Sequence, residues 1–305
     1  MIVKLQMTNQ NSWPATVGFH SGELAVQRQA GVQAEASRLA RMVAPGELRA
    51  GMAGFVADAL FAAITARDRS RRLWTSPLLG SPGFLQASGP TVLQINSALP
   101  EPDPLWGLSA GQPAAVIVMD FATRRRVRIN GQLTSVTSRG LTLDVNQAFG
   151  NCPRYISERQ IQDAGGDQVR GLRYQGNMLH SNDIDLVQAA DTFFVGTTHP
   201  TSGNDTSHRG GPAGFVRVTP DHLWWPDFPG NNMFNSLGNL AVDAAAALLF
   251  VDFRTGDALQ LSGTADVVWD VRSGGDDNST GRRVQFAPEL IVATTMTELS
   301  PTTAP

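Results

Sequence analysis

The stretch that decides the fold is Val118-Met119-Asp120-Phe121-Ala122-Thr123, followed closely by Val127-Arg128-Ile129-Asn130-Gly131. It occurs a second time as Phe250-Val251-Asp252-Phe253-Arg254-Thr255, followed by Leu259-Gln260-Leu261-Ser262-Gly263. The shift is 252 − 120 = 132 for the aspartate and 263 − 131 = 132 for the glycine. Upstream, Thr75-Ser76 and Gly83-Phe84 answer to Thr206-Ser207 and Gly214-Phe215 at a shift of 131, and Phe61-Ala62-Ala63-Ile64-Thr65 answers to Phe193-Phe194-Val195-Gly196-Thr197 at 132. A period this long marks a duplicated domain rather than a short solenoid repeat. Two like domains in one chain can pack as the halves of a two-fold dimer do, with a ligand cleft between them.

Outside the repeat, bulk properties narrow the class. A chain of 305 residues prefers two domains. The 30 glycines and 18 prolines supply the turns of an all-β architecture. Twenty-four basic and 27 acidic residues leave a net charge of −3, with no global field for nucleic acid or an anionic membrane. The longest apolar run, residues 244–251, is too short to span a bilayer, and residues 1–5 lack the apolar core of a signal peptide. One cysteine excludes an internal disulfide and any cysteine-cluster metal site. These features together read as a soluble cytoplasmic protein.

The pattern along the chain predicts an N-terminal extension (residues 1–46), a first domain (47–160) and a second (161–305). Helices are expected at residues 32–43 and 47–60; Met52, Phe55, Val56 and Ala59 of the latter fall at helical spacing. Strands follow at 60–65, 73–79, 83–85, 92–95, 114–121, 126–133 and 141–145. The second unit repeats the order: a helix at 184–190, strands at 192–198, 214–218 and 223–225, a helix at 235–247, and strands at 248–253 and 258–269. Residues 273–279 read as a loop and 300–305 as a fraying end. The fold expected is mainly β with a few helices: two tandem split β-barrels forming an intramolecular pseudo-dimer.

The copies are most informative where they differ. The first reads Thr75-Ser76-Pro77-Leu78-Leu79-Gly80 and the second Thr206-Ser207-His208-Arg209-Gly210-Gly211, both taken here as turns. Adjacent glycines let backbone N–H groups approach an anion, and Arg209 adds a fixed bidentate cation, which is phosphate-binding chemistry. The plainer alternative is a solvated turn. After Trp225, the second copy reads Pro226-Asp227-Phe228-Pro229-Gly230-Asn231-Asn232-Met233-Phe234-Asn235-Ser236-Leu237-Gly238-Asn239, where Asn231, Asn232, Asn235 and Asn239 suit a heterocycle edge of alternating carbonyls and N–H groups. An ordinary helix-entry turn is rich in Asn and Gly as well. The first-copy counterpart, residues 96–107, is Pro-rich and lacks these asparagines.

The sequence Ser207-x-Arg209-Gly210-Gly211-x-x-Gly214-Phe215-Val216, then Pro226-Asp227-x-Pro229-Gly230-Asn231, then Asn235-x-Leu237-x-Asn239-Leu240 and Leu259-x-Leu261-x-Gly263, resembles the pyridoxamine 5'-phosphate oxidase-like FMN-binding split-barrel family. Arg126-Val127-Arg128-Ile129-Asn130-Gly131 is similar to that family's penultimate strand, and residues 19–23 and 147–156 are similar to its tandem-barrel branch. The resemblance implies one FMN held chiefly by the second copy, in a flavoprotein, an oxidoreductase of unspecified substrate. Arg209 would neutralise the phosphate, with Ser207, His208 and the amides of Gly210 and Gly211 beside it. Asn231, Asn232, Asn235 and Asn239 would hold the ribityl chain or ring edge, flanked by Asp227 and Leu237. Arg126 or Arg128 would reach across from the first half. Members that form pyridoxal phosphate carry a C-terminal Arg and His, whereas residues 300–305 here are Ser-Pro-Thr-Thr-Ala-Pro, so pyridoxamine phosphate is not the expected substrate.

Partners expected are a small-molecule substrate or electron donor, with a second copy of the chain also admissible. The rival class is a non-enzymatic module that sequesters a flavin, a haem or another planar ligand, or serves a separate reductase. His20 with Glu23 reads equally as a proton relay and as an exposed pair. Cys152 reads as a buried structural thiol rather than a nucleophile. Trp224 and Trp225 alternate along a strand, one toward the core.

Overall fold

Residues 61–64 and 245–251 are apolar at every position, and a computed structural model shows where each face goes. It describes residues 18–44, 46–163, 169–269 and 280–296; the loop expected at 273–279 and the end at 300–305 lie outside them. In β1 (Phe61–Arg67), Ala62, Ile64 and Ala66 enter one core while Phe61 and Ala63 enter another. In β13 (Ala245–Val251), Ala246, Leu248 and Phe250 point one way and Leu249 and Val251 the other. Side chains alternate along a strand, so a run apolar at every position must be covered twice. One cover is the strand's own unit. The other is a shared core of Phe61, Ile117, Met119, Phe121, Phe194 and Leu249, drawn from both units.

The molecule is mostly β, with two antiparallel sheets and a few short helices. The first sheet contains β1, β2 (Leu73–Leu79), β3 (Leu85–Ala87), β4 (Val92–Ile95), β5 (Gln112–Asp120), β6 (Arg125–Thr137) and β7 (Gly140–Gly150), in the order β2-β1-β5-β6-β7-β4-β3. The second contains β9 (Thr192–His199), β10 (Gly203–Gly210), β11 (Arg217–Val218), β12 (Leu223–Pro226), β13, β14 (Asp257–Val268) and β15 (Arg283–Met296), in the order β10-β9-β13-β14-β15-β12-β11. The orders are the same strand for strand. A further strand, β8 (Arg170–Gly176), pairs with β15. The sheets meet reciprocally: β10 packs on β5 and β6, and β2 on β13 and β14.

The repeated glycines have a steric reason. At Gly131 the β6–β7 register shifts, and a Cβ there would lie 2.0 Å from the Asp144 carbonyl oxygen. At Gly263 the β14–β15 register shifts likewise, and a Cβ would lie 2.0 Å from that of Ala287. Both are bulges where a neighbouring backbone comes closer than any side chain allows.

The helices depart from the expected bounds. Residues 32–43 form a short α2 (Gln33–Ser37) and a 3₁₀ turn (Ala40–Met42), because only Ala36 of α2 is buried and packing holds nothing longer. The helix at 47–60 is α3 (Ala50–Ala57), and the one at 184–190 is α4 (Ser181–Ala189). The helix expected at 235–247 ends early, as α5 (Asn235–Leu240). Ala245, Ala246 and Ala247 pair with β14 instead, so tertiary pairing overrides the helical preference of an alanine run. The strands expected at 83 and 214 begin later, since Gly83 and Gly214 take left-handed turns with φ 94° and 83°. β8 and β15 carry no clean alternation, and Pro288 interrupts β15 opposite the Gly263 bulge.

Candidate functional site

Residues 206–210 belong to strand β10 and not to a turn, and residues 75–79 lie in β2, at the strand expected over 73–79. That changes the chemistry of Gly210 and Gly211. A Cβ on Gly210 would lie 1.8 Å from the Tyr155 carbonyl oxygen, and one on Gly211 would press on Phe215 and Phe228. The Gly211 amide already donates to the Asp191 carbonyl at 3.1 Å. These glycines admit close neighbours and do not form an anion-binding nest.

Positive charge gathers where the two units meet. Two adjoining hollows, of about 80 and 60 Å³, lie where β6 of the first unit meets β10 and the 226–237 segment of the second. Arg126, Arg128, Arg154, Arg209 and Arg282 line them, and Asp227 is the one carboxylate in either lining. Arg128 pairs with buried Asp205 at 3.0 Å, across the boundary between the units. Asp205 also accepts from Ser236 Oγ at 3.0 Å. Asp227 is held by Arg282 at 3.0 Å and lies 4.0 Å from Arg209. Five guanidiniums thus face two carboxylates.

The crowding shows in proton affinities. Burial first, then Arg128 and Arg209, brings the Arg126 guanidinium down to about 9. Burial lowers Arg209 as well, against the pull of Asp227. His208 is held well below its ordinary value by burial and then by Arg126 and Arg209, so it is neutral. Its Nδ1 accepts from Arg126 Nη1 at 2.6 Å. The Nε atoms of Arg126 and Arg209, Ser207 Oγ and His208 Nε2 are buried without a hydrogen-bond partner. Unpaired buried donors beside surplus cations are costly unless an anion meets them.

Of the other expected residues, Gly210, Asn231, Asn232, Asn235 and Leu237 line the hollows. Ser207, Gly211 and Asn239 do not. Asn239 lies beneath, donating to Thr197 Oγ1 at 3.0 Å and facing His20 Nε2 at 3.0 Å. Asn235 donates to Glu23 Oε1. Both carboxamides thus belong to a buried network under α1 (Ser21–Gln29), and the exposed-pair reading of His20 and Glu23 is corrected: they are 9% and 3% exposed. His20 caps the helix, its Nδ1 accepting from the amides of Gly22 and Glu23 at 3.2 and 3.4 Å, while Glu23 Oε2 accepts from the His20 amide at 2.8 Å. Burial, then the neighbouring His199, lowers His20 to about 4, and burial raises Glu23 to about 7.

Sequence reasoning did not place Tyr155 and Cys152 here. Tyr155 stacks on Phe228 at 5.3 Å over the hollow, and its hydroxyl donates to the Pro229 carbonyl at 3.1 Å. Cys152 lines the hollow and is only half-buried, which corrects its reading as a buried thiol. Trp225 is buried edge-on to Phe193, and Trp224 lies under the Arg283 guanidinium.

The counterpart position in the other half is filled by the chain itself. There Ser76, Pro77 and Leu78 replace Ser207, His208 and Arg209, and Gln260 replaces Arg128. Gln260 Nε2 donates to Ser76 Oγ at 2.8 Å, and Ser76 Oγ to Asp103 Oδ1 at 2.7 Å. Into this space β8 inserts the fully buried Arg170 side chain, which pairs with Asp103 and donates to the Pro77 carbonyl at 2.5 Å.

No family model and no curated protein matches the chain. Among solved structures, HupZ of Group A Streptococcus is similar at 14% identity and a TM-score of 0.29, covering 37% of this chain and 92% of its own. A putative pyridoxamine 5'-phosphate oxidase of Lactobacillus delbrueckii is similar at 18% and 0.29, covering 38% and 94%. HutZ, the heme storage protein of Vibrio cholerae, is similar at 10% and 0.28, covering 38% and 95%.

Proposed function

We propose that the chain is a pair of tandem split barrels of the pyridoxamine 5'-phosphate oxidase-like type, binding one FMN per chain and working as a flavin-dependent oxidoreductase on a small-molecule substrate or electron donor. One observation carries the reading. Five arginines converge on two carboxylates at a cleft built by both units, leaving buried guanidinium donors that a phosphate dianion would satisfy.

In this reading Arg209 and Arg126 hold the phosphate. Neutral His208 positions Arg126 through its Nδ1. Asp205 and Asp227 fix Arg128, Arg209 and Arg282 so that these side chains are ordered before the ligand arrives. When bound, FMN supplies the redox chemistry. Hollows of about 80 and 60 Å³ admit a phosphate but fall below the roughly 300–1,000 Å³ of a small-molecule site. A flavin ring would need the Tyr155–Phe228 stack to open, beside Asn232 and Phe234, whose φ of 59° and 60° hold the loop in left-handed geometry.

Titration of the protein with FMN and with riboflavin tests this. FMN should bind more tightly by a factor set by the phosphate, and nicotinamide nucleotide should bleach the bound flavin. Equal affinity for the two flavins refutes phosphate recognition at the arginine cluster. A flavin that no nicotinamide cofactor bleaches points to the non-enzymatic binder.

A further inference from the structure

On the other side of Arg126 lies a second, larger pocket of about 500 Å³, and we propose that it binds a nucleotide: a compound with two or more phosphates and a flat ring. Its wall is cationic, formed by Arg49 at the start of α3 and by Arg124, Arg125 and Arg126 at the β5–β6 turn. Its floor is apolar, formed by Met52, Phe55 and Val127, with the Arg125 guanidinium 4.9 Å over the Phe55 ring. No carboxylate lines it, and among the described residues Arg49, Arg124 and Arg125 make no ion pair. Cations set around a flat apolar floor suit phosphates joined to a ring.

The equivalent turn of the second unit forms without arginines at these positions. Asp120 lies opposite Arg125 in the strand register of the first hairpin, and the Asp252 amide donates to the Asp257 carbonyl across the second. The intervening residues are Phe121-Ala122-Thr123-Arg124 in one and Phe253-Arg254-Thr255-Gly256 in the other. The fourth position is left-handed in both, with φ 53° at Arg124 and 78° at Gly256. Glycine adopts that backbone freely, whereas a side chain adopts it at a cost. The first copy accepts this cost and places three consecutive arginines where the second has Gly256, Asp257 and Ala258. Strain of this kind concentrates at binding sites.

The pocket shares Arg126 and Asn151 with the arginine cleft, so its ligand would lie beside that cleft's occupant. The proposal stands whether or not that occupant is a flavin.

The test uses the full chain with NADPH, ATP and inorganic pyrophosphate as probes, followed by calorimetry. The wild type should bind NADPH or ATP more tightly than pyrophosphate, with affinity falling as salt rises. The double variant Arg49→Ala/Arg124→Gly should lose tenfold or more for all three, at about tenfold per charge-assisted contact. Its thermal midpoint should not fall, because glycine is the residue the duplicate turn already uses, and its FMN affinity should stay unchanged. Arg209→Ala should leave the nucleotide affinity intact. Three results overturn the proposal: no binding of any probe by the wild type, equal binding by the double variant, or nucleotide binding lost in Arg209→Ala to the same degree.

Discussion

Replacing Glu23 by Gln should make the stability difference from wild type grow with pH. Glu23 is 3% exposed, its carboxylate accepts from the His20 amide and from Asn235, and among the described residues its one ion-pair neighbour is His20 at 3.6 Å. Burial lifts it from 4.5 to about 7, against the downward effect of those hydrogen bonds. A raised folded value means its contribution is full below about pH 4.5 and is lost as pH rises to about 7. That rise corresponds to about 3 kcal/mol. His20 works in the opposite sense: it falls from 6.5 to about 4, so its contribution is full above about 6.5 and is lost as pH falls toward 4. Between about pH 4.5 and 6.5 the two slopes nearly cancel in the wild type. Glu23→Gln keeps the shape and the hydrogen-bonding capacity, with Asn235 turning its carboxamide. It removes one slope and unmasks the other. Urea unfolding of both proteins from pH 4.5 to 8 should give a variant-minus-wild-type stability that climbs by about 3 kcal/mol and levels off above pH 7. A difference that does not change with pH would show that Glu23 stays ionised in the fold and would refute the burial argument.

Arg209→Ala should weaken FMN about tenfold to a hundredfold and leave riboflavin almost unaffected, read by flavin fluorescence; an unchanged FMN affinity moves the phosphate to Arg126 or Arg128. Flavin titration of the wild type should saturate at one per chain because Arg170 occupies the counterpart position, and a stoichiometry of two contradicts that. Arg170→Met should destabilise by about 3–5 kcal/mol, since Asp103 is left charged and buried; chemical denaturation measures it. Gly131→Ala should cost about 1–3 kcal/mol by pushing a Cβ against the Asp144 carbonyl, and a neutral effect would mean that the bulge relaxes freely.

The repeated strand positions were legible where a run such as residues 61–64 or 248–251 is apolar at every position. A strand like Phe61–Arg67 or Ala245–Val251 has no solvent face to hide the pattern. The repeated Gly131 and Gly263 marked the same bulge twice. Strands whose partners are remote and whose faces are mixed left little trace, as in β8, where most side chains are exposed. The alanine run at 244–247 misled for the opposite reason: its local preference is helical, and only the waiting edges of β9 and β14 make it a strand.

The site was legible in its charges and not in its polar geometry. Arg126, Arg128 and Arg209 lie 209 − 126 = 83 residues apart at the extremes, yet the packing of β10 on β6 brings them together. Asparagines carry no such constraint, because a carboxamide pairs with whatever is near. Asn235 and Asn239 were equally suited to a ligand edge and to Glu23 and His20, and helix α1 arrives from outside the repeat to claim them. A Cβ on Gly22 would lie 2.1 Å from the Gly238 carbonyl oxygen, so two glycines are what let α1 approach α5 this closely. The N-terminal segment therefore fixes the floor of the arginine cleft through Glu23–Asn235 and His20–Asn239, and through Ser236 it reaches Asp205 and Arg128. Substitutions at Gly22 would then loosen the cleft without touching an arginine, an effect that follows from packing and that no motif in the second half announces.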